Sequence, residues 1–445
     1  MSRRLHSASP LRGSIVVPGD KSISHRALLC NALAPGQARI DGFLPSEDCL
    51  RTMDCLRAYG VGFDYDPASP TTVVVRSPGR DAFTAPDRVL DCGNSGTSMR
   101  LLAGLAAGLD LPTTLDGDES LRSRPMDRVL QPLAAMGATV KGRDGDHLAP
   151  LHIRGGRLTP FRGALQVASA QVKSAIILAA LAADGPSSIE EIAPTRDHTE
   201  ILLRAMGARL QRTPLDGGRS RIEIEPGAPL HPIDLTVPGD ISAAAFWLVA
   251  GSIVPDSEIR LLGVGVNPTR AGVIDILTAM GADITSDHLR TVGGEPVADL
   301  LVRATDLHAT TIDGDLVTRA IDELPVLAVA AAVAQGRTEV RDAAELRVKE
   351  SDRVASTVAM LRALGVAADA RDDGFTIDGG APLQGARMES RGDHRLAMAA
   401  AVAACVAGGP SEVVGDESVI VSYPHFWRDL DVLTQAPTQT AQALA

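Results

Sequence analysis

The tetrapeptide Val17-Pro18-Gly19-Asp20 recurs without change as Val237-Pro238-Gly239-Asp240, and a serine, Ser22 or Ser242, follows it at the same offset. Two identical turns this far apart predict that the chain consists of two similar halves, each entered through the same turn. At 445 residues the chain is also too long for one ordinary core. We therefore predict one domain at 20–238 and a second formed by 1–19 plus 239–445, with a hinge near 18–21 and 237–241.

Each predicted half contains three repeats of one α/β pattern. An apolar helix end, a glycine and then β-type residues occur together five times, with the glycine at positions 60, 137, 207, 281 and 365. Glycine directly after an apolar helix is typical of a helix C-terminus, and the residues that follow begin a strand. The sixth repeat lacks this phrase, and we expect it to close against the first strand of the chain.

Two kinds of helix alternate in the repeats. The first helix of each repeat, such as Ala243–Ala250 or Leu396–Ala407, is apolar on nearly all sides and is therefore predicted to be buried. The second, such as Glu47–Tyr59, is amphipathic. The predicted fold class is α/β, with two similar domains of three repeated α/β units around buried parallel helices, of the inside-out α/β barrel type.

The composition narrows the range of partners. The net charge of −12 and the aromatic content of 3% disfavour nucleic acids and acidic membranes as partners. No apolar run is long enough to cross a bilayer, and no secretory signal is recognisable. The five cysteines form no CxxC pair, which favours a reducing compartment. We expect a cytoplasmic monomer without cofactor or metal that binds small anionic substrates.

Lysine is rare in this chain, and arginine accounts for nearly all of the 43 basic residues. The four lysines are Lys21, Lys141, Lys173 and Lys349. An amine can give up a proton where a guanidinium cannot. Lys21 follows a Pro-Gly turn and precedes an apolar run, so it is predicted at the first turn of a helix, beside free backbone N–H groups.

The first helix of every repeat opens with a cluster of polar residues. If the six helices point the same way, their positive ends converge on a cleft between the two halves, which would suit a multiply anionic ligand. The openings are Lys21-Ser22, Ser95-Gly96-Thr97, Ser169-Ala170-Gln171, Asp240-Ile241-Ser242, Ile321-Asp322-Glu323 and Gly392-Asp393-His394-Arg395.

These motifs make the sequence similar to a known family. The chain resembles the EPSP synthase family of enolpyruvyl transferases over nearly its whole length, in eight segments that occur in order. The segments are PGDKSISHRALL (18–29), GNSGTSMRLL (93–102), LRSRPM (121–126), SAQVKSAIILA (169–179), TRDHTE (195–200), AIDELPVLAVAA (320–331), LRVKESDR (346–353) and GDHRLAMAAA (392–401).

The resemblance implies an enzyme that joins shikimate 3-phosphate to phosphoenolpyruvate and releases phosphate, in the pathway to chorismate and the aromatic amino acids. It implies that one set of residues binds shikimate 3-phosphate: Lys21, Ser22, Arg26, Ser169, Ala170, Gln171, Arg196, Asp322 and Lys349. It implies that a second set binds phosphoenolpyruvate: Lys21, Asn94, Gly96, Arg124, Gln171, Arg353 and Arg395.

The chemistry of enol ether formation agrees with these residue types. A proton must leave the acceptor hydroxyl and another must reach the methylene carbon, so amine and carboxyl groups are needed. Lys21, Asp322 and Glu350 are the candidates for catalysis. Arginines can hold phosphate and carboxylate groups with two bonds each. Lys349 and Arg353 are four residues apart and are predicted on one helix face. Lys173 receives no role.

Two departures from the family pattern concern substrate contacts. Many members have a lysine shortly before the final aromatic-proline pair, where this chain has Val421. Many have a second serine where this chain has Ala170. Both features resemble the branch associated with glyphosate tolerance. Gly96, however, is kept where tolerant members carry alanine. The sequence therefore favours neither glyphosate tolerance nor glyphosate sensitivity.

Three other functions compete with this interpretation. The sister enzyme that transfers enolpyruvyl to UDP-N-acetylglucosamine carries a cysteine in the loop before an Arg-Pro pair, whereas no cysteine lies between Cys92 and Cys405 here. A non-enzymatic α/β repeat scaffold would explain the repeats but not the charged residues at the helix starts. An RNA-end-processing protein is disfavoured by the acidic charge.

Overall fold

The computed structural model describes residues 1–435 and divides them into two compact units. Gly19–Pro238 together with Thr291–Glu295 is called the inserted unit here. Met1–Pro18, Gly239–Arg290 and the chain from Pro296 onward form the terminal unit. Residues 436–445 of the predicted second domain lie outside the described residues. That the units act as domains hinged near 18–21 and 237–241 stays a prediction.

Each repeat begins with an inner helix whose residues are almost all buried. Most side chains of these helices are small or apolar, and no side of the helix is predominantly polar, so no side favours contact with water. The N-terminus of five of these helices is capped by an aspartate or serine side chain that accepts a backbone N–H. The inner helices span Lys21–Leu33, Gly96–Ala107, Ala170–Ala180, Ile241–Ile253, Leu324–Val333 and His394–Ala404.

Each repeat also contains an outer helix, and the repeated glycine ends the first five of these. These glycines, at positions 60, 137, 207, 281 and 365, all have φ between 84° and 102°. A residue with a β-carbon would be strained there, which explains why glycine recurs. The outer helices span Glu47–Arg57, Asp127–Ala135, His198–Ala205, Gly272–Ala279, Arg353–Ala363 and Phe426–Gln435.

The inserted unit contains three four-stranded sheets, one for each of repeats 1 to 3. In each sheet the first two strands are parallel and the remaining neighbours are antiparallel. In spatial order the sheets are Leu235–Thr236, Gly36–Asp41, Thr72–Ser77 and Gly62–Tyr65; Leu90–Asp91, Thr113–Asp116, Leu148–Arg154 and Thr139–Gly142; and Arg162–Ala164, Ser187–Glu191, Ser220–Glu225 and Arg209–Pro214.

The sheets of repeats 4 to 6 follow the same pattern, with one expected exception. The last sheet has three strands, and its edge is Ser2–Leu5, so the sixth repeat does close against the first strand of the chain. In spatial order the sheets are Arg12–Ile15, Glu258–Gly265, Glu295–Arg303 and Asp283–Val292; Thr311–Ile312, Gly336–Val340, Gly374–Gly379 and Ala367–Arg371; and Arg387–Glu389, Ser411–Val414 and Ser2–Leu5.

Short helical turns connect these elements. The short α-helices are Glu119–Arg122, Arg143–Asp146 and Gly314–Ala320. The 3₁₀ turns are Arg80–Ala82, Asp216–Gly218, Ala344–Val348 and Asp416–Val421.

Each unit has its own hydrophobic core, built mainly from the inner helices and the facing strand residues. The inner helices of repeats 2 and 3 approach very closely. A β-carbon added at Gly104 would lie 2.3 Å from the carbonyl oxygen of Ala175. This contact packs the helix interiors together, and Gln171 bonds to Arg100 and Thr97 nearer the two helix starts, where predicted site residues lie. Within residues 1–435, no helix is both long and apolar enough to cross a membrane.

Candidate active site

Lys21 is the first residue of the inner helix of repeat 1, as predicted. Asp20 caps this helix, because its side chain accepts the backbone N–H of Ile23 at 2.8 Å. The Lys21 ammonium lies 2.9 Å from Asp48 Oδ2, and the two side chains are 16% and 12% exposed. An amine beside a carboxylate, still reachable from solvent, is suited to accept and release a proton.

Ser22, Arg26 and Arg196 come together in the same unit. Arg26 Nη1 donates to the carbonyl oxygen of Ser22 at 3.0 Å, and Arg196 Nη1 donates to the Ser22 hydroxyl at 3.3 Å. Burial, with the neighbouring Arg196 charge, lowers the pKa of Arg26 below its ordinary value. Two guanidinium groups this close repel each other, and a bound anion would relieve that repulsion.

A second group of predicted residues forms where the inner helices of repeats 2 and 3 begin. Arg124 Nη2 donates to Asn94 Oδ1, and a β-carbon at Gly96 would lie 3.5 Å from Arg124 Nη1. Gln171 accepts from Arg100 Nη1 at 2.6 Å and donates to Thr97 Oγ1 at 2.9 Å. The glycine leaves room for two guanidinium groups above the helix start, where the helix dipole also favours an anion.

Ser169 and Ala170 open the inner helix of repeat 3. The Ser169 hydroxyl accepts the backbone N–H of Val172 at 3.4 Å and so caps the helix. Ala170 is the first helical residue. Among the described residues, neither forms a hydrogen bond or ion pair with another predicted site residue. Their predicted contact with substrate stays a prediction.

In the terminal unit, two predicted carboxylates contact the guanidinium of Arg353, and Lys349 contacts one of them. Nη1 lies 3.2 Å from Asp322 Oδ1, and Nη2 lies 2.6 Å from Glu350 Oε2. The Lys349 ammonium lies 3.6 Å from the same oxygen of Asp322. Arg353 is 1% exposed, whereas the Glu350 side chain is 26% exposed. The buried arginine therefore holds two carboxylates in place, one of which reaches solvent.

Asp393 completes the surroundings of Arg353. Its Oδ2 accepts from Arg353 Nε at 2.8 Å, and its Oδ1 caps the inner helix of repeat 6 by accepting the backbone N–H of Arg395. Burial opposes the charge on both groups, but their mutual attraction prevails. It raises the pKa of Arg353 and lowers the pKa of Asp393 relative to their ordinary values.

Arg395 is nearly buried at the start of that helix. Its Nη1 lies 3.6 Å from Glu323 Oε1, which also accepts the hydroxyl of Ser242 and lies 3.6 Å from Arg270 Nη1. One carboxylate thus faces two guanidinium groups. Arg270 also lies 3.7 Å from Asp240 Oδ1, whereas Arg395 stands at the start of the inner helix, where a guanidinium is suited to a phosphate or carboxylate group.

The prediction that Lys349 and Arg353 share a helix face is wrong. The outer helix of repeat 5 begins at Arg353, because the Asp352 side chain caps it by accepting the N–H of Ala355 at 3.0 Å. Lys349 ends the preceding 3₁₀ turn with an extended backbone. The two residues still meet, because both contact Asp322.

Comparison with known proteins gives the family. The family model described as EPSP synthase (3-phosphoshikimate 1-carboxyvinyltransferase) matches residues 5–430. The chain belongs to the EPSP synthase family. The family carries out carboxyvinyl transfer, and the chain is therefore a transferase of this class.

Curated relatives and solved structures agree with this assignment to the EPSP synthase family. The 3-phosphoshikimate 1-carboxyvinyltransferase of Herpetosiphon aurantiacus is 51% identical over 438 residues, 98% of this chain and 100% of the relative. That of Geobacillus kaustophilus is 50% identical, over 95% and 98%. The solved EPSP synthase of Acinetobacter baumannii has a TM-score of 0.84 at 39% identity, covering 97% of each chain.

A more distant structure shares only the fold. The enolpyruvyl transferase NikO of Streptomyces tendae has a TM-score of 0.76 at 20% identity, covering 97% of this chain and 96% of that one. Together with the EPSP synthases, it confirms the predicted two-domain inside-out α/β fold class. The match to the EPSP synthase family confirms the predicted resemblance over the competing functions.

The sequence missed several partners of the predicted residues. Asp48 pairs with Lys21, Arg100 with Gln171, and Glu323 with Arg395. Arg100 and Glu323 lie inside the segments that carry the resemblance, so a residue-by-residue inspection of those segments could have found them. Asp48 carries only a weak signal, as one of two acids in the first turn of an amphipathic helix.

The cysteines are not placed for nucleophilic chemistry. All five are buried free thiols. Burial raises the pKa of Cys30, Cys49 and Cys405 to about 12, which keeps these thiols protonated. No group of three or more His, Cys, Asp or Glu side chains within residues 1–435 is arranged to hold a metal ion.

Proposed function

We propose that the chain transfers the carboxyvinyl group of phosphoenolpyruvate to the 5-hydroxyl of shikimate 3-phosphate, giving 5-enolpyruvylshikimate 3-phosphate and phosphate. The single observation that carries this proposal is the grouping of charges at the inner-helix starts. In each unit, guanidinium and ammonium groups suited to anionic substrates lie beside a carboxylate suited to proton transfer. Family membership supports the same reaction.

The proposed chemistry uses groups that are present. The 5-hydroxyl loses a proton as its oxygen bonds to C2 of phosphoenolpyruvate, while the methylene C3 gains a proton. A proton then leaves the new methyl group as phosphate departs from C2, which restores the double bond. Lys21, Asp322 and Glu350 are the proposed proton-transfer groups. The arginines stabilise the charge on the phosphate and carboxylate groups throughout.

The binding residues are proposed from the same contacts and from the family resemblance. Arg26 and Arg196, both bonded to Ser22, are suited to the phosphate of shikimate 3-phosphate. Those proposed for this substrate are Lys21, Ser22, Arg26, Ser169, Ala170, Gln171, Arg196, Asp322 and Lys349. Those proposed for phosphoenolpyruvate are Lys21, Asn94, Gly96, Arg124, Gln171, Arg353 and Arg395.

The test is phosphate release from phosphoenolpyruvate with two alternative acceptors. We expect release with shikimate 3-phosphate and none above background with UDP-N-acetylglucosamine. The control omits the acceptor, which separates transfer from simple hydrolysis. Release only with the sugar nucleotide, or with neither acceptor, would overturn the proposal.

We further propose that the enzyme is a cytoplasmic monomer. Five cysteines held as thiols fit a reducing compartment, and one chain supplies every residue of both proposed binding sets. Light scattering on the purified protein tests the second statement, because a dimer would have twice the mass of 46.4 kDa. Cell fractionation tests the first.

A further inference from the structure

Lys173 is a fully buried lysine to which the proposed reaction assigns no role. It lies in the inner helix of repeat 3, two residues after Gln171. Its ammonium nitrogen lies 2.9 Å from Glu191 Oε1 and 2.7 Å from Glu200 Oε1, and it donates to the carbonyl oxygen of Thr195 at 3.4 Å. The exposed fractions of the Lys173, Glu191 and Glu200 side chains are 0%, 0% and 1%.

The Lys173 ammonium has three protons, and it forms one hydrogen bond, to Thr195, and two close ion pairs, to Glu191 and Glu200. The oxygens that it contacts belong to a strand, to the helix that follows it, and to the segment that connects the two. Glu191 ends a strand, Glu200 lies in the outer helix of repeat 3, and Thr195 lies in the segment that joins them. One buried charge therefore contacts the strand before the segment Ile192–Asp197, the helix after it, and Thr195 within it.

Glu191 also forms hydrogen bonds of its own to the same segment. It accepts both the backbone N–H and the hydroxyl of Thr195, and it accepts the hydroxyl of Ser220 at 2.8 Å. Arg212 then bridges Glu191 Oε2 at 3.3 Å and Asp197 Oδ2 at 3.6 Å. Burial opposes the charge of Glu191, but Lys173 and these hydrogen bonds prevail and lower its pKa, so the carboxylate is ionised at neutral pH.

Arg196 lies between the two residues that this network holds. Its guanidinium donates to Ser22, at the start of a different inner helix. A loop arginine that had to be ordered on binding would lose conformational freedom at that moment, and this loss would weaken binding. An arginine on a segment fixed beforehand avoids the loss.

We propose that Lys173, with Glu191 and Glu200, is a positioning group that fixes the Thr195 main chain and thereby aims Arg196 at the phosphate of shikimate 3-phosphate. The inference rests on the proposed function, because it concerns how that substrate's phosphate is recognised. It assigns to Lys173 a role in the affinity for one substrate and none in the transfer step.

The test uses a charge-balanced double variant, Lys173→Met with Glu200→Gln. Removing one positive and one negative charge leaves Glu191 paired with Arg212. We expect KM for shikimate 3-phosphate to rise by about tenfold or more, as for loss of a charge-assisted contact, with kcat and KM for phosphoenolpyruvate changed by less than about threefold. With shikimate as acceptor, which lacks the phosphate, kcat/KM should stay at the wild-type value.

Two further variants separate positioning from a purely structural role. Glu200→Gln alone is the milder change and should raise the same KM in the same direction. Tyr59→Phe removes a buried hydrogen bond to Thr113 in the same unit and should leave both KM values unchanged. In an Arg196→Ala background the Lys173 and Glu200 changes should add nothing, because the group they position is gone.

The outcomes distinguish this inference from the proposed function. Wild-type enzyme that releases no phosphate with shikimate 3-phosphate would remove both. If the wild-type enzyme turns over normally, three results would overturn the positioning role alone. The double variant could lose as much kcat/KM with shikimate as with shikimate 3-phosphate, or it could lose equally in all constants. Its effect could also be fully additive with that of Arg196→Ala. If the double variant does not fold, the same comparisons on Glu200→Gln decide the question.

Discussion

Arg353 Nε lies 2.8 Å from Asp393 Oδ2, with the two side chains 1% and 0% exposed. The same guanidinium contacts Glu350 and Asp322, so one buried cation contacts three carboxylates. The pair also joins two repeats, because Asp393 caps the inner helix of repeat 6 while Arg353 begins the outer helix of repeat 5. Loss of this ion pair should therefore lower the free energy of unfolding by more than loss of a surface ion pair does.

Replacing Arg353 by methionine should destabilise the protein strongly. The change leaves the buried Asp393 carboxylate without its counter-charge, and such losses cost about 3–5 kcal/mol. Denaturant unfolding measures the difference. The control is Arg362→Met, which breaks an exposed pair with Asp369 and should cost less than about 1 kcal/mol. Equal losses for the two variants would contradict the buried-pair argument.

Glu350→Gln should slow turnover while leaving substrate binding nearly intact. The amide keeps an oxygen near Arg353 but cannot exchange a proton, so kcat should fall roughly a hundredfold with both KM values changed less than about threefold. Steady-state phosphate release measures all three constants. Glu412→Gln, in a surface pair with Arg387, is the control and should behave as wild type. An unchanged kcat for Glu350→Gln would remove this group from the mechanism.

His25 should make the stability depend on pH between 6.5 and 5. Burial lowers its pKa from 6.5 to about 3, and its Nδ1 is 2.7 Å from the Thr52 hydroxyl. As pH falls below 6.5 the unfolded chain gains a proton that the folded chain does not, so stability decreases, by up to about 1.4 kcal/mol per pH unit. The loss continues until pH approaches the folded value.

The measurement compares denaturant unfolding of wild type and His25→Gln at several pH values in this window. The variant should show the shallower decline, since it lacks the group that titrates. The paired carboxylates Asp393 and Glu191 have lowered pKa values and act only at lower pH, as they begin to take up protons. Parallel pH profiles for the two proteins would refute the assignment to His25.

Gly104→Ala should destabilise the inserted unit although alanine favours helices. The new β-carbon would lie 2.3 Å and 2.5 Å from the carbonyl oxygen and Cα of Ala175, and backbone atoms cannot rotate away. Overpacking of this kind outweighs the gain of about 1 kcal/mol in helix propensity and should leave a net loss of at least about 1 kcal/mol.

Gly156→Ala is the matched control for that change, because no atom lies within 4 Å of its added β-carbon and its φ is not positive. Its unfolding free energy should change by less than about 1 kcal/mol. Thermal or denaturant unfolding measures both variants. Stability of Gly104→Ala at or above wild type would mean that the two inner helices separate easily.

The repeated architecture could be predicted because its signals are local. A glycine after an apolar helix marks a positive φ, and a helix without a polar side marks burial, whatever the rest of the chain does. The predicted inner helix Ala243–Ala250 lies within the observed Ile241–Ile253, and the predicted Leu396–Ala407 overlaps most of the observed His394–Ala404. The closing of the last repeat on Ser2–Leu5 followed from the same reasoning.

The partners of the charged residues could not be predicted, because they depend on distant elements that meet only in the fold. Lys173 received no role from the sequence, because nothing in its local pattern indicates that Glu191 and Glu200 lie beside it in the fold. The prediction that Lys349 and Arg353 share a helix face was wrong for a different reason. A spacing of four residues indicates a shared helix face only if a helix spans both positions, and the cap at Asp352 decides otherwise.

The strand pairings of the terminal unit constrain the order in which parts of the chain can fold during synthesis. Gly19–Pro238 is continuous, so most of the inserted unit can assemble as it leaves the ribosome. Arg12–Ile15 pairs with Glu258–Gly265, and Ser2–Leu5 pairs with Ser411–Val414. Both strands can pair only after segments far along the chain have been synthesised, so the terminal unit cannot complete its sheets before the inserted unit has left the ribosome.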